Sequence, residues 1–266
     1  MFSLLHADFF KLRKRAMGWV MLAIVGFFVL VTMVANAAIF PGKTNYNFSR
    51  SILAGATLLP SLGTFTIIIL GAIMVGSEYG YDTWKNLLIR RSGRVPFILS
   101  KWLTMLISLC LALVALMILG VIVGQILQTA MHLTGLPMHP APSTLLISIL
   151  TQMLMPIIAG SMAILGAVVW RSSVAGIVFG LFWFILDAAL GGFAPMASVG
   201  SAITTIQIQM TGLLPSPGGV LSPGQSPYST AGLLGVLPPL IVIIYLVVPF
   251  ILATICFKRR DMLGIS

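Results

Sequence analysis

Six long apolar runs constrain the fold more than any other feature of this sequence. They lie at residues 17–40, 53–76, 102–125, 145–170, 174–190 and 233–257, and Asp187 is the only charged residue within them. About 20 apolar residues cross a bilayer as a helix, and backbone groups in lipid must be hydrogen-bonded within their own segment. The runs therefore predict an all-α integral membrane protein, a single domain over residues 1–266 with six transmembrane helices.

The composition excludes a soluble protein. Only 8% of the residues are charged and 59% are hydrophobic, whereas soluble domains carry about 25% charged residues. The net charge of +10 would suit a nucleic-acid-binding protein, but here the basic residues lie in short clusters beside the apolar runs, as orientation signals do. We therefore expect the lipid bilayer, and not nucleic acid, as the surroundings of this chain.

The basic clusters also predict the orientation. Thirteen of the 15 Lys and Arg residues lie at residues 11–15, 85–101, 171 and 258–260, which share one side of the membrane if there are six spans. The other side holds only Lys43 and Arg50. By the positive-inside rule, both termini are predicted to be cytoplasmic.

Two stretches outside the spans are amphipathic. Apolar residues recur every three or four positions from Phe2 to Ala16, and Asp8 and Lys11 fall between them, which predicts an N-terminal helix in the cytoplasmic interface. A charge-free loop at residues 191–232 has the same apolar spacing, followed by a Pro/Gly-rich return. We interpret it as a re-entrant or interfacial helix between helices five and six.

The loop between helices two and three predicts a short cytoplasmic helix. Tyr81, Trp84 and Leu88 share one face, basic residues near its end suit the helix dipole, and Ser92-Gly93 ends it. Aromatic and charged residues held between two spans suit a docking site for a cytoplasmic partner. An interfacial helix that only anchors the loop has the same composition, and both interpretations stay open on composition alone.

Two cytoplasmic segments resemble a known family. Glu78-Tyr-x-x-x-Thr83 is followed by Leu87-Leu88, Arg90, Arg94 and Lys101, and the N-terminus reads Asp8-Phe-Phe-Lys11-Leu-Arg13-Lys-Arg15. These residues resemble the signature of the type-2 ATP-binding-cassette (ABC) transporter permeases. The six predicted spans, the cytoplasmic termini and the long apolar loop after helix five also match that family.

The resemblance implies a function and a set of partners. Such permeases pair as homodimers or heterodimers in a bacterial or archaeal cytoplasmic membrane and bind two ATPase subunits, which hold the ATP and Mg²⁺. Most export lipids, glycans, peptides or drugs, so an amphipathic or hydrophobic substrate is expected. The residues expected to contact the ATPase lie in the coupling loop (Glu78, Tyr81, Asp82, Trp84, Lys85, Arg90, Arg91 and Arg94) and in the interface helix (Asp8, Lys11 and Arg13).

The chain itself shows no nucleotide-binding or catalytic motif. Pro41-Gly42-Lys43-Thr44 imitates the end of a P-loop, but Ala37 stands where the first glycine is required. We therefore expect no cofactor, metal or catalytic residue on this chain, and ATP hydrolysis on another polypeptide.

The role of Asp187 and two rival functions stay open on the sequence alone. An intramembrane carboxylate is costly and often functional, so Asp187 either serves the substrate path or a dimer contact, or it only reaches water at the outer edge or caps the following turn. An ion-coupled secondary transporter would need coupling carboxylates near mid-membrane. A non-transporting immunity or scaffold protein would bind a partner through the same loops.

Overall fold

The structure is a computed structural model that describes residues 6, 8–11, 16–40, 44–80, 94–133, 142–193 and 247–257. Every regular element in these ranges is helical, and none is a strand, so the predicted all-α class is confirmed. In chain order the elements are α1 (Ala16–Ile39), α2 (Phe48–Ala56), a π-helical turn (Leu59–Gly63), α3 (Thr64–Gly80), α4 (Arg94–Ala130), α5 (Pro142–Trp170), α6 (Ser173–Phe193) and α7 (Val247–Phe257).

Four segments of the described ranges are long and apolar enough to cross a membrane. They are Gly18–Ile39, Phe48–Tyr79, Val95–Ala130 and Gln152–Trp170, and two shorter apolar stretches are Ser173–Leu186 and Val247–Phe257. The count of six spans therefore stays a prediction. The predicted coupling helix falls outside the described residues, and so does the predicted re-entrant helix beyond Phe193.

The second predicted span is broken into two helices. The sequence predicts a continuous helix over residues 53–76, but the chain passes through a π-helical turn at Leu59–Gly63, between α2 and α3. Pro60 is the cause, because proline has no N–H to donate and its ring clashes with the carbonyl four residues earlier. The backbone N–H of Gly63 donates instead to the carbonyl of Leu58 at 3.1 Å, the five-residue spacing of a π-helix.

Small residues let the helices approach closely. The most extensive contacts join α3, α5 and α6 to one another, and α2 packs on α4. At the α2–α4 crossing, a Cβ atom built on Gly120 would lie 2.7 Å from the Cα and 2.8 Å from the backbone nitrogen of Gly55. Close approach of this kind provides the van der Waals contact that drives helix association in lipid.

The bundle has two ends that differ in chemistry. Gly76, near the end of α3, packs against the backbone of Ser173 at the α5–α6 turn. Phe97 in the first turn of α4 stacks on Phe257 at the end of α7, with centroids 5.5 Å apart. We call this end, which also holds the backbone of Arg171, the proximal end. The end of α1 and the end of α4 meet at the opposite, distal end.

The α2–α4 crossing predicts how one substitution affects stability. Gly120→Ala places a methyl group against the backbone of α2, which cannot rotate away, and overpacking of this kind costs about 1–3 kcal/mol. The apparent Tm of the purified protein, followed by tryptophan fluorescence, should fall. Gly26→Ala is the matched control, because its new Cβ meets only side chains, Leu119 at 3.4 Å and Leu116 at 4.0 Å, at ordinary contact distances. Equal Tm values for the two variants would contradict the close crossing.

Candidate functional site: a buried ion cluster at the proximal end

Four charged side chains from three segments meet at the proximal end. Lys101 Nζ donates to Asp8 Oδ1 at 2.5 Å and to Glu78 Oε1 at 3.1 Å. Lys11 Nζ donates to the same Glu78 Oε1 at 2.9 Å. We call Asp8, Lys11, Glu78 and Lys101 the ion cluster. Its two carboxylates and two ammonium groups balance in formal charge.

Three parts of the helical framework place the four members of the cluster. Glu78 lies in the last turn of α3, which ends at Gly80. Lys101 lies about two turns into α4, a helix of 37 residues that is roughly 55 Å long and therefore extends beyond a hydrocarbon core of about 30 Å. Asp8 and Lys11 belong to a short helical stretch at residues 8–11 that precedes α1.

Burial distinguishes this cluster from a surface ion pair. The side chains of Lys101, Asp8 and Glu78 are 3%, 7% and 5% exposed, whereas that of Lys11 is 51% exposed. Removing charges from water is costly, and mutual attraction offsets that cost only when geometry and hydrogen bonding are good. Loss of one buried partner therefore leaves an uncompensated charge, so the cluster holds the N-terminal stretch, α3 and α4 in one arrangement.

Neutral neighbours complete the surroundings of Lys101. Its ammonium nitrogen lies 5.2 Å from the centroid of the Phe97 ring, a cation–π contact, and Phe97 in turn stacks on Phe257 of α7. The hydroxyl of Ser100 has a single proton for two acceptors, the carbonyl of Phe97 at 2.8 Å and Asp8 Oδ2 at 3.3 Å. The shorter contact to the carbonyl takes most of that hydrogen bond.

The burial of Asp8 differs from what the amphipathic pattern of the N-terminal helix predicts. Asp8 falls off the predicted apolar stripe, and an interfacial helix would turn such a residue towards water. The structure buries Asp8 instead, while Phe9 on the predicted apolar stripe is 36% exposed and Phe10 is 52% exposed. The reason is electrostatic, because Lys101 lies on α4 and its ammonium pairs with the Asp8 carboxylate.

Of the remaining predicted site residues, the structure describes only the backbones of two. Arg94 begins α4, and Asp187 lies on α6, with both side chains outside the described part of the structure. The others lie outside the described residues altogether: Arg13, Tyr81, Asp82, Trp84, Lys85, Arg90 and Arg91. The loop that carries most of them leaves α3 two residues after Glu78 and enters α4 seven residues before Lys101.

Three members of this site were not among the sequence-predicted contact residues. Lys101 belongs to the motif that carries the family resemblance, and that motif was the signal that could have assigned it to the site. Ser100 precedes Lys101 directly, but a single serine beside an apolar run carries no such signal. Phe257 reaches the site through tertiary packing alone.

No group of three His, Cys, Asp or Glu residues within the described ranges could hold a metal ion.

The apolar helices, with most of the described charged side chains at one end of the bundle, define a multi-pass integral membrane protein. Residues 4–187 match the family described as ABC-2 family transporter protein, and this range includes every member of the ion cluster. The chain belongs to the ABC-2 transporter family, which makes it a membrane transport subunit of the kind that associates with ATP-binding-cassette ATPases. Neither a curated protein nor a solved structure gives a significant match.

The ion cluster predicts non-additive effects on stability. Lys101→Met should destabilise the protein by about 3–5 kcal/mol, because it leaves Asp8 buried without its cation. Adding Asp8→Asn removes the uncompensated charge and should recover part of the lost Tm. Lys11→Met is the control, since half-exposed pairs contribute about 0–1 kcal/mol. A double mutant no more stable than Lys101→Met alone would show that the two side chains are not coupled.

Proposed function

We propose that this protein is the permease subunit of an ABC exporter for an amphipathic or hydrophobic substrate, driven by ATP hydrolysis on two separate ATPase subunits. The permease acts as a dimer with a second copy or a paralogue, its termini and proximal end facing the cytoplasm. Family membership supports the permease assignment, and the excess of basic residues around the proximal end supports the orientation.

One observation carries the mechanism, namely the pairing of Lys101 with both Asp8 and Glu78. The coupling loop at residues 81–93 runs between α3 and α4, and Glu78 and Lys101 stand close to its two ends. An ATPase that moves this loop pulls on both helices and on the N-terminal stretch together. The ion cluster is therefore the element that converts loop movement into helix movement.

An apolar cleft within the bundle supports the proposed substrate class. A cavity of about 580 Å³ lies between α1, α3 and α4, and Trp19, Leu70 and Leu116 contribute to its mostly apolar lining. Volumes of 300–1,000 Å³ are usual for small-molecule sites. Leu59 and Gly63 of the π-helical turn also border it, so the break in the second span shapes this cleft.

The two rival functions require other features of the protein than an ABC exporter does. Ion coupling needs a carboxylate that can exchange protons or cations near mid-membrane, and the two carboxylates whose side chains are described, Asp8 and Glu78, are paired with lysines at the proximal end. A non-transporting immunity or scaffold protein would have no need to couple a bound ATPase to its helices. Recovery of an ATPase with the permease separates the exporter from the secondary transporter.

The coupling loop predicts a loss of ATPase binding on mutation. Aromatic and Arg residues carry most interface energy, so Trp84→Ala combined with Arg91→Ala should weaken ATPase recovery by roughly thirtyfold, the equivalent of about 2 kcal/mol. The measurement is quantitative co-purification of the ATPase with tagged permease from native membranes. Gln207→Ala with Gln209→Ala, in the predicted outer loop, is the matched control. Equal recovery with both double mutants would reduce this loop to an interfacial anchor.

A further inference from the structure

A second cavity, at the distal end, has a different chemistry from the apolar cleft. It has a volume of about 600 Å³ and lies between the last turns of α1, the connector at residues 44–47 and α2. Polar residues from all three segments line it, namely Thr32, Asn36, Thr44, Tyr46, Arg50 and Thr57. In a chain with 8% charged residues, so polar a cavity at the end of a membrane span requires an explanation.

The walls of this cavity are fixed by Tyr46. Its side chain is 3% exposed, and its hydroxyl donates to the carbonyl of Met33 in α1 at 2.9 Å. The backbone N–H of Tyr46 donates to Gln128 Oε1 of α4 at 2.8 Å, and its carbonyl accepts from Ser51 Oγ of α2 at 3.0 Å. The connector is thus tied to three helices, which gives the cavity a preorganised shape.

The cavity carries positive charge. Arg50 is the only charged residue among the described residues that line it, and the two carboxylates whose side chains are described lie at the proximal end. Burial raises the pKa of Tyr46, and the positive charge of the nearby Arg50 guanidinium opposes that shift.

The hydroxyl groups of the lining act mainly as acceptors. Thr32 donates to the carbonyl of Val29 at 2.9 Å, Thr57 to that of Ala54 at 2.7 Å, and Thr44 to that of Phe40 at 2.7 Å. Because their protons are engaged within the protein, these hydroxyl oxygens can act towards a ligand only as acceptors. The site therefore offers one cationic donor group beside several neutral acceptors, which suits an anion that also carries hydroxyl or amine donors.

Apolar side chains complete the lining. Met33 and Phe40 of α1, with Ala54 of α2 and Leu58 beyond it, border the same cavity. Phe40 is 51% exposed and directly follows the candidate span Gly18–Ile39. A ligand with an anionic head and an apolar tail fits both kinds of surface, whereas a small inorganic anion would leave the apolar surface unused.

We propose that the distal cavity binds a phosphate-bearing membrane lipid, with its phosphate on Arg50, its headgroup donors on the threonine hydroxyls and Asn36, and its acyl chain along Met33 and Phe40. This site is separate from the ion cluster and does not depend on ATPase coupling. The same phosphate chemistry could be supplied by free phosphate, and the two sources differ in whether the acyl chain contributes to binding.

The test measures access to the cavity directly. Thr57→Cys is introduced after replacement of Cys110 and Cys256 by alanine, and its maleimide labelling rate is followed in neutral detergent with added phosphatidylglycerol or phosphatidylcholine. Phosphatidylglycerol should slow labelling by roughly tenfold, as expected for a charge-assisted hydrogen bond, and phosphatidylcholine should slow it much less. Thr129→Cys on α4, exposed and outside the cavity lining, is the position control and should show no slowing.

Charge variants identify the residue responsible. Arg50→Gln should abolish the slowing by phosphatidylglycerol, Arg50→Lys should retain most of it, and Arg171→Gln at the proximal end should leave it unchanged. If Arg50→Gln does not fold, Asn36→Leu on the exposed face of α1 should weaken the slowing in its place. Slowing that survives in every correctly folded variant would overturn the proposal.

Three further outcomes would also contradict the proposed site. Millimolar inorganic phosphate that protects Thr57→Cys as well as phosphatidylglycerol does would show that the acyl chain plays no part. Equal slowing by phosphatidylcholine and phosphatidylglycerol would show that net headgroup charge does not decide binding. A loss of slowing in Arg171→Gln as large as in Arg50→Gln would show a diffuse effect of net charge instead of a site.

Discussion

The burial of one ammonium group organises the proximal end of this protein. Lys101 is 3% exposed, and a lysine charge so placed is stable only when carboxylates replace the water it has lost. Asp8 and Glu78 supply them from two other segments of the chain. The N-terminal stretch, the end of α3 and the start of α4 must therefore stay together for the charge to remain balanced. Disruption of any one segment exposes the other two to the cost of a buried, unpaired charge.

Away from the proximal end, close packing and not ion pairing stabilises the bundle. Between the two ends the described side chains are almost entirely apolar, and lipid tails compete with them on equal terms, so close packing has to favour helix association. Gly55 against Gly120 and Gly71 against Gly160 supply such packing. By contrast, α1 has many apolar side chains that do not pack within the described part of the bundle, including Phe27, which is 61% exposed.

The sequence predicts the all-α class well because few backbone conformations satisfy their hydrogen bonds within lipid. Long runs without charge must become helices, and the starts of α1, α5 and α6 lie within a few residues of their predicted positions. The break at Pro60 was missed, since the hydropathy of the second run continues through it. Predicted contact residues Asp8, Lys11 and Glu78 are brought together, but their partner Lys101 lies 93 positions from Asp8. No local periodicity encodes a pairing over that distance.

The distal cavity could not be predicted from the sequence either, because its lining residues come from separate segments of the chain. Arg50 is one of only two basic residues on its predicted side of the membrane, but the polar residues that line the cavity with it come from α1, the connector and the end of α2. Those residues are ordinary threonines and an asparagine, without motif or spacing. Tyr46 gathers them through bonds to α1, α2 and α4, and only the folded chain shows that arrangement.

The central claim is that the ion cluster transmits movement of the ATPase-facing loop to the helices. The most direct measurement places spin labels at the exposed residues Ile39 on α1 and Ile126 on α4 in the permease–ATPase complex, and compares their distance with and without ATP and vanadate. We expect a nucleotide-dependent change in the wild-type complex and none in Lys101→Met that still retains its ATPase. The same change in both complexes would contradict the account.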